Sequence, residues 1–386
     1  MTTKLILLGA GKIGDAILNL LSHTGDYILT VADRDPQRLQ YVQQAGFPNV
    51  TTILADISHP QTVSKLIRGH DVTLSACPYF LTPVIAAAAK AERSHYFDLT
   101  EDVESTRFVK LLAKDANTAF VPQCGLAPGF ISIVANDVAS RFEQLHDVKM
   151  RVGALPTFPS NALKYNLTWS TDGLINEYCN PCEAIVDGHL RETSPLEELE
   201  NFSLDGINYE AFNTSGGLGT LCDSLREKVQ NLDYKTVRYP GHRDIIKILV
   251  RDLQLGKLER RPILKEVLET SIPMTKQDVV LTFVSVCGIR EGRLEQETYA
   301  KKIYSQHVNG QLLSAIQLTT AAGICAMVDL VVQGVLPQVG FVRQEEVTLA
   351  DFLGNRFGQF YASNAPGNSG FAPANHAEFS KLKAVA

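Results

Sequence analysis

The sequence predicts a doubly wound α/β sheet of parallel strands, joined to a second α+β domain built on a mainly antiparallel sheet. Two textures carry that expectation. Up to about residue 125, short apolar runs alternate with amphipathic helical patterns; beyond it, the strand-like runs are longer and more alternating. A third observation separates them, because Gly125-Leu-Ala-Pro-Gly129 interrupts both patterns. The expected layout is a first domain over 1–125, a second over 126–312, a helical return to the first over 313–362 and a disordered tail over 363–386.

The opening element is the most specific. Leu5 to Leu8 form an apolar run that enters Gly9, Gly11 and Gly14, after which Ile13, Ala16, Ile17, Leu20 and Leu21 repeat at helical spacing. A buried strand, a glycine turn and a helix start, in that order, bind a pyrophosphate. The first glycine permits the turn, the second lets the backbone approach, and the third packs helix against strand. A second apolar run from Tyr27 ends at Asp33, about 20 residues past the last glycine, and completes a Rossmann dinucleotide fingerprint. Gly9, Gly11, Lys12, Ile13 and Gly14 are therefore candidate cofactor residues. Asp33 would accept the adenosine ribose hydroxyls, which favours NAD; Arg34 beside it would suit the 2′-phosphate of NADP, or stack on adenine.

The remaining elements follow in alternation. A helix over 36–45 leads to a strand at Thr52–Leu54 ending in Asp56, then a helix over 60–68 and a strand from Val72 that ends at Cys77-Pro78-Tyr79. An alanine-rich helix over 84–92, a strand from His95 ending in Thr100-Glu101-Asp102, a helix over 103–114 and a sixth strand from Thr118 to Pro122 complete the first domain. Ligands bind such sheets at the carboxyl ends of the strands, so the segments after Leu8, Val31, Leu54, Ser75, Phe97 and Pro122 form the expected active rim.

After a helical pattern over 131–142, the second domain offers strands at 148–153, 162–168, 208–213, 235–238, 279–287 and 297–304, with helices near 171–178, 244–252 and 263–268. The apolar stretch 313–336 is interrupted by Gln317, Asp329 and Gln333, so a buried helix fits it better than a membrane span.

Composition narrows the function classes. Apolar residues at 45%, charged residues at 20% and a net charge of −6 describe an ordinary globular chain with no basic excess for nucleic acid. No charged, apolar leader opens the chain, and seven scattered cysteines suit a reducing compartment, so a cytoplasmic location is expected. Cys179 and Cys182 have CxxC spacing without a second ligand pair, and no metal is expected.

Several rim and second-domain residues could carry chemistry. Asp56 would reach the adenine amino group with Ile57 over the ring, or cap the next helix. Ala76 and Cys77 are small enough for close approach to the nicotinamide ribose, and Tyr79 would bond substrate or cofactor, or only pack. Asp98 is a carboxylate in an otherwise apolar strand, fit for proton transfer, for a substrate ammonium or for a structural bond. Thr214-Ser-Gly-Gly-Leu-Gly-Thr220 would present Ser215 and Gly216 to a carboxylate. Arg238 offers a guanidinium and His242 an imidazole, although each cluster also suits a hairpin turn. Trp169 reads as core packing.

These motifs in this order resemble the saccharopine dehydrogenase superfamily: Gly9 to Gly14, Asp33, Cys77-Pro78-Tyr79, Gly125 to Gly129, Thr214 to Gly219 and Val237-Arg-Tyr-Pro-Gly-His242. Within it the pattern is most similar to lysine 6-dehydrogenase, with a similar Tyr165-Asn166 pair, and the resemblance runs to about Ala362. It implies oxidoreduction at a CH–NH group with NAD or NADP, on a small amino-acid substrate. Lysine 6-dehydrogenase removes hydride from the ε-carbon of lysine; saccharopine- and carboxynorspermidine-type members instead condense a semialdehyde with an amine and reduce the imine. By position, Arg238 with the turn at Ser215 and Gly216 would anchor the α-carboxylate, Tyr165 and Asn166 would line the substrate site, and Tyr79, Asp98 and His242 compete to carry the proton. Ala127 stands where the saccharopine-forming pattern has an acid, a departure that fits the lysine-dehydrogenase branch better. A homodimer through the second domain is the family expectation. A non-catalytic dinucleotide sensor is the reading from another class.

Overall fold

The computed structural model describes residues 2–362. Its first sheet is built from Thr3–Leu8 (β1), Tyr27–Asp33 (β2), Val50–Leu54 (β3), Val72–Ser75 (β4), His95–Asp98 (β5) and Ala119–Val121 (β6), all parallel. Helices Lys12–Ser22 (α1), Pro36–Ala45 (α2), Pro60–Ile67 (α3), Thr82–Glu92 (α4) and Val103–Leu112 (α5) cross between the strands. Continuous apolar strands result, because both faces are covered. In β1, Leu5 and Leu7 enter the core layer shared with α1, whereas Ile6 and Leu8 enter the layer shared with α3 and α4. The strand order runs β3-β2-β1-β4-β5-β6, so the chain reverses direction across the sheet between β1 and β4. Leu8 there lies opposite Ser75. A crevice opens at such a reversal, and it sets the position of the site.

The second sheet is mixed. Its path contains Gln144–Pro156 (β7), Glu200–Leu204 (β10), Ile207–Asn213 (β11), Val229–Arg238 (β12), Asp278–Arg290 (β13) and Arg293–Tyr304 (β14), in the order β10-β11-β12-β7-β13-β14. Only β12 and β7 run parallel along that path. A hairpin of Cys182–Val186 (β8) and His189–Thr193 (β9) attaches to β12. The helices here are Phe130–Ala139 (α6), Thr171–Cys179 (α7), Leu221–Leu225 (α8), His242–Lys247 (α9) and Arg261–Ser271 (α10). β9 and β10 carry only exposed or half-exposed residues, so they lack the apolar alternation that would announce them. The strand expected at 162–168 is absent. Lys164 turns left-handed at φ 51°, and only Leu167 makes a bridge, to Met274.

A short ribbon, Gln306–Val308 (β15) with Gln311–Leu313 (β16), precedes the long helix Ala315–Val332 (α11). This is the one described helix long and apolar enough to cross a membrane, and 83% of it is buried inside the protein, packed on α1 and β13. Ser314 and Gln317 cap its start reciprocally. Near its end Asp329 accepts hydrogen bonds from the Tyr27 hydroxyl (2.8 Å), Asn355 (2.8 Å) and Arg356 (2.6 Å), which ties the return segment to β2. The chain then adds Gly340–Phe341 (β17) parallel to β6, a seventh strand too short to be read from sequence. The expected tail lies outside the described residues.

Candidate active site

One wall of the site is the crevice between β1 and β4. Gly9 sits at φ 103°, and a Cβ there would come within 2.9 Å of the Ala76 carbonyl oxygen. Gly14 packs so closely that a Cβ would meet the Gly9 carbonyl at 2.1 Å, whereas Gly11 faces open space. Gly11 is also the N-cap of α1 and caps it with no side chain, so the first-turn N–H groups at Lys12 and Ile13 are free for an anion. This cradle fits a dinucleotide pyrophosphate. Asp33 shapes it from behind, accepting the N–H groups of Ala10 (2.7 Å) and Asp35 (2.9 Å). Lys12 reaches the sulfur of Met274 across the cleft at 3.1 Å, and burial lowers its pKa.

The crevice opens into a cavity of about 1190 Å³, mouth included, that runs to the second sheet. Ile13, Ala76, Cys77 and Tyr79 line it on one side, and Val152, Ala154, Thr236 and Arg238 on the other. Gly125 to Pro128 form its floor. There Gly129, at φ 133°, lies so near the Gly125 carbonyl that a Cβ would meet it at 2.1 Å, and Ala127–Pro128 is a cis peptide.

Arg238, the last residue of β12, is only 3% exposed. Its Nε donates to the Tyr178 hydroxyl (3.0 Å) and Nη1 to the Val237 carbonyl (2.9 Å), while its guanidinium lies 5.0 Å from the Tyr165 ring centre. Nη2 makes no hydrogen bond to the described residues. Burial acts against its charge, but the Tyr178 and Tyr165 hydroxyls and Glu177 outweigh that and raise its pKa. Behind it, His242 Nδ1 faces the Leu163 carbonyl (3.0 Å) and Nε2 faces the Tyr178 hydroxyl (3.0 Å). The carbonyl requires a proton on Nδ1, so Nε2 accepts from the phenol, whose oxygen in turn accepts from Arg238. Burial and then the Arg238 charge push His242 down to about 3.

This geometry redistributes the expected roles. His242 does not line the cavity; it is a neutral strut behind Arg238. Asp98 is likewise outside the lining, its carboxylate saturated by the Tyr96 hydroxyl (2.8 Å) and the N–H groups of Thr100 (3.0 Å) and Gln123 (2.9 Å). Burial pushes Asp98 up to about 6. Ser215 turns away from the cavity: its N–H donates to the Glu177 carbonyl and its hydroxyl to the Pro181 carbonyl. Gly216 serves close packing, since a Cβ there would meet the Glu101 carbonyl at 2.4 Å. Tyr165 lies beneath Arg238, and Asn166 is buried with its Oδ1 unpartnered among the described residues. Asp56 is exposed and accepts the Ser58 N–H (2.9 Å), while Ile57 is buried in the core with Leu8 and Ala32. Arg34 is exposed beside Asp33. Cys77 donates to the Leu8 carbonyl (3.1 Å), and burial raises its pKa to about 12. Tyr79 does face the cavity, its phenol pKa raised by burial and then by Asp102.

Sequence reasoning missed Trp169, Asp172 and Glu177 as lining residues and gave Glu101 no role. They lie on a loop, on α7 and on a strand-end turn, and no spacing rule joins them.

A glycine cradle at a sheet reversal, opening into a cavity with a buried arginine, defines a dinucleotide-binding protein with a pocket suited to an anionic group. Two family models match nearly all of the described chain: the saccharopine dehydrogenase NADP binding domain over residues 5–121, and the saccharopine dehydrogenase C-terminal domain over residues 125–357. The chain belongs to the saccharopine dehydrogenase family. Among its relatives is the saccharopine dehydrogenase [NADP(+), L-glutamate-forming] of Pyricularia oryzae, 25% identical over 308 residues, covering 74% of this chain and 67% of that protein. The mitochondrial alpha-aminoadipic semialdehyde synthase of Mus musculus is 21% identical over 58% of this chain, which spans only 27% of its length. In fold, the chain is similar to the apo saccharopine dehydrogenase (L-Glu forming) of Saccharomyces cerevisiae, at TM-score 0.73 and 16% identity over 93% of this chain and 96% of that one. It is also similar to the NAD-bound homospermidine synthase of Legionella pneumophila, at TM-score 0.66 and 14% identity over 95% and 91% of the two chains.

Proposed function

We propose that this protein transfers a hydride between NAD(P) and the CH–NH carbon of a lysine-like amino acid, as lysine 6-dehydrogenase does. The observation that carries the reading is Arg238: a buried guanidinium with a free Nη2, across one cavity from the strand ends of the dinucleotide crevice. A charged, rigid fork at that position suits an α-carboxylate. With its carboxylate there, the substrate's aliphatic chain would run past Trp169 and Ile316 toward Ala76 and Tyr79.

A bound nicotinamide supplies the hydride acceptor. The chain's own residues fix the carboxylate at Arg238, exclude water with apolar walls, and orient the substrate nitrogen with the Tyr79 hydroxyl, which burial keeps protonated. Oxidising the CH–NH₂ group would release one hydride to the nicotinamide and one proton to water at the cavity mouth, and leave an imine, which water converts to the semialdehyde and ammonia. Asp98 and His242 have no part in proton transfer in this reading, since neither reaches the cavity.

A second reading, condensation of a semialdehyde with an amine followed by reduction, is favoured by the name of the Pyricularia oryzae relative. For the cofactor, Asp33 favours NAD. Exposed Arg34 and the NADP in the matched domain's description favour NADP, and we infer that both are accepted. The test is nicotinamide absorbance with each dinucleotide, challenged separately with lysine, saccharopine and diamines. Reduction with lysine alone supports the leading reading, and reduction only with saccharopine moves the assignment to the condensing branch. A protein that binds dinucleotide but turns over none of them would sink both. A homodimer through the second sheet stays part of the proposal, tested by sedimentation.

A further inference from the structure

A second hollow of about 660 Å³ lies beside the main cavity, between the turn that starts α5 and the β8–β9 hairpin. The two spaces share two lining residues, Glu101 and Glu177. Glu177 is only 7% exposed, and no donor among the described residues reaches its carboxylate. Glu101 is met only by its own backbone N–H, and its Oε1 rests on Gly173 in the first turn of α7. The hollow is strongly anionic. Asp102, Glu104, Glu183 and Glu192 also line it, and its one lining cation, Arg107, is already paired with Glu104 (2.6 Å) and Glu183 (2.8 Å).

Glu177 is a buried carboxyl without a partner, and Glu101 beside it is half-buried and met only by its own N–H; ionising them is costly unless something positive comes to them. Arg238 acts on Glu177 through its charge but makes no hydrogen bond to it, its Nε being given to Tyr178. We propose that Glu101 and Glu177 form a binding site for a primary ammonium, set in the wall between the catalytic cavity and the acidic hollow. It holds the substrate's second, non-reacting amine. This rests on the reading above and assigns the hold on that second amine to these two carboxyls, with the hollow admitting a cationic arm longer than that of lysine.

The charges around the pair determine how it responds to pH. Burial raises Glu101 to about 7, helped by Asp102, Asp98 and Asp172; burial raises Glu177 to about 8, against the pull of Arg238 and with a push from Glu101. Without a ligand, both carboxyls therefore keep their protons to higher pH than an ordinary glutamate does. An arriving ammonium favours the ionised forms and expels those protons.

The experiment is calorimetry of 1,5-diaminopentane binding to the full chain saturated with dinucleotide, in buffers of different ionisation heat. This probe has two ammonium groups and no carboxylate for Arg238. The expected result is net proton release at neutral pH, affinity rising from pH 6 to 9, and a loss of roughly tenfold or more in each of Glu101→Gln and Glu177→Gln. Dinucleotide affinity, measured in parallel, should be unchanged in both variants and reports that they fold. No binding by the wild type, equal binding by either variant, or binding without proton release overturns the proposal. Because the readout is binding, turnover is scored separately: a Glu-dependent ammonium site in a protein that transfers no hydride would defeat the functional reading and leave this site standing.

Discussion

The two walls of the cavity are built on opposite principles. The dinucleotide wall works through backbone: glycines without side chains, free N–H groups at the start of α1 and a carboxylate, Asp33, that holds the turn in shape. The opposite wall works through buried side chains, with Arg238 held by Tyr178, which His242 holds in turn, and Glu177 buried unpaired beside it. Backbone cradles tolerate most side-chain changes but no added atoms. Buried charges tolerate little loss, because each removed partner leaves another charge stranded.

The sharpest way to break this comparison is Arg238→Met. With the guanidinium gone, kcat/KM should fall on the order of 100- to 1000-fold, while dinucleotide affinity stays within about twofold. Parallel loss of dinucleotide binding would mean that the walls are not independent. On the other wall, Gly14→Ala places a Cβ 2.1 Å from the Gly9 carbonyl. It should cost about 1–3 kcal/mol, read as a lower Tm, and abolish dinucleotide binding.

A third test uses pH. Glu101 and Glu177 are held above their ordinary value of 4.5, so between that value and about 7 or 8 the folded chain keeps protons that the unfolded chain has released. Their contribution is therefore most favourable at acid pH and declines as pH rises through that window. Glu177→Gln should flatten the fall of Tm between about pH 5 and 9; an unchanged slope would mean that this wall carries no buried titrating acid.

Smaller effects separate finer roles. Arg34→Ala should weaken NADP roughly tenfold relative to NAD, since a 2′-phosphate would lose a charged partner. His242→Asn should lower Tm without moving any limb of the pH–rate profile, because an imidazole held down to about 3 is neutral throughout the working range. A shifted limb would return His242 to the chemistry.

The contrast also explains what could be read from the chain alone. Gly9 to Gly14 and Asp33 are legible because their roles depend on neighbours a few residues away or on one strand–helix–strand unit. Arg238 was legible as a charged motif, but its surroundings were not. Tyr178 and His242 are 60 and 64 residues from the groups they bond, and only the sheet brings them together. Asp98 stays open between chemistry and a structural bond in the sequence for the same reason. A carboxylate in an apolar strand announces that it needs partners, but the sequence does not say that Tyr96, Thr100 and Gln123 supply them.

The sequence by itself determined the parallel sheet, the glycine cradle and the long buried helix, all of which follow from local periodicity and backbone sterics, whereas the strand order that reverses at β1 came from the tertiary structure. Only the tertiary structure decided which charges meet in the cavity, that Ser215 and His242 face elsewhere, and that Glu101 and Glu177 share a wall. Burial and pairing depend on residues distant in the chain, and one-dimensional order carries no record of those distances.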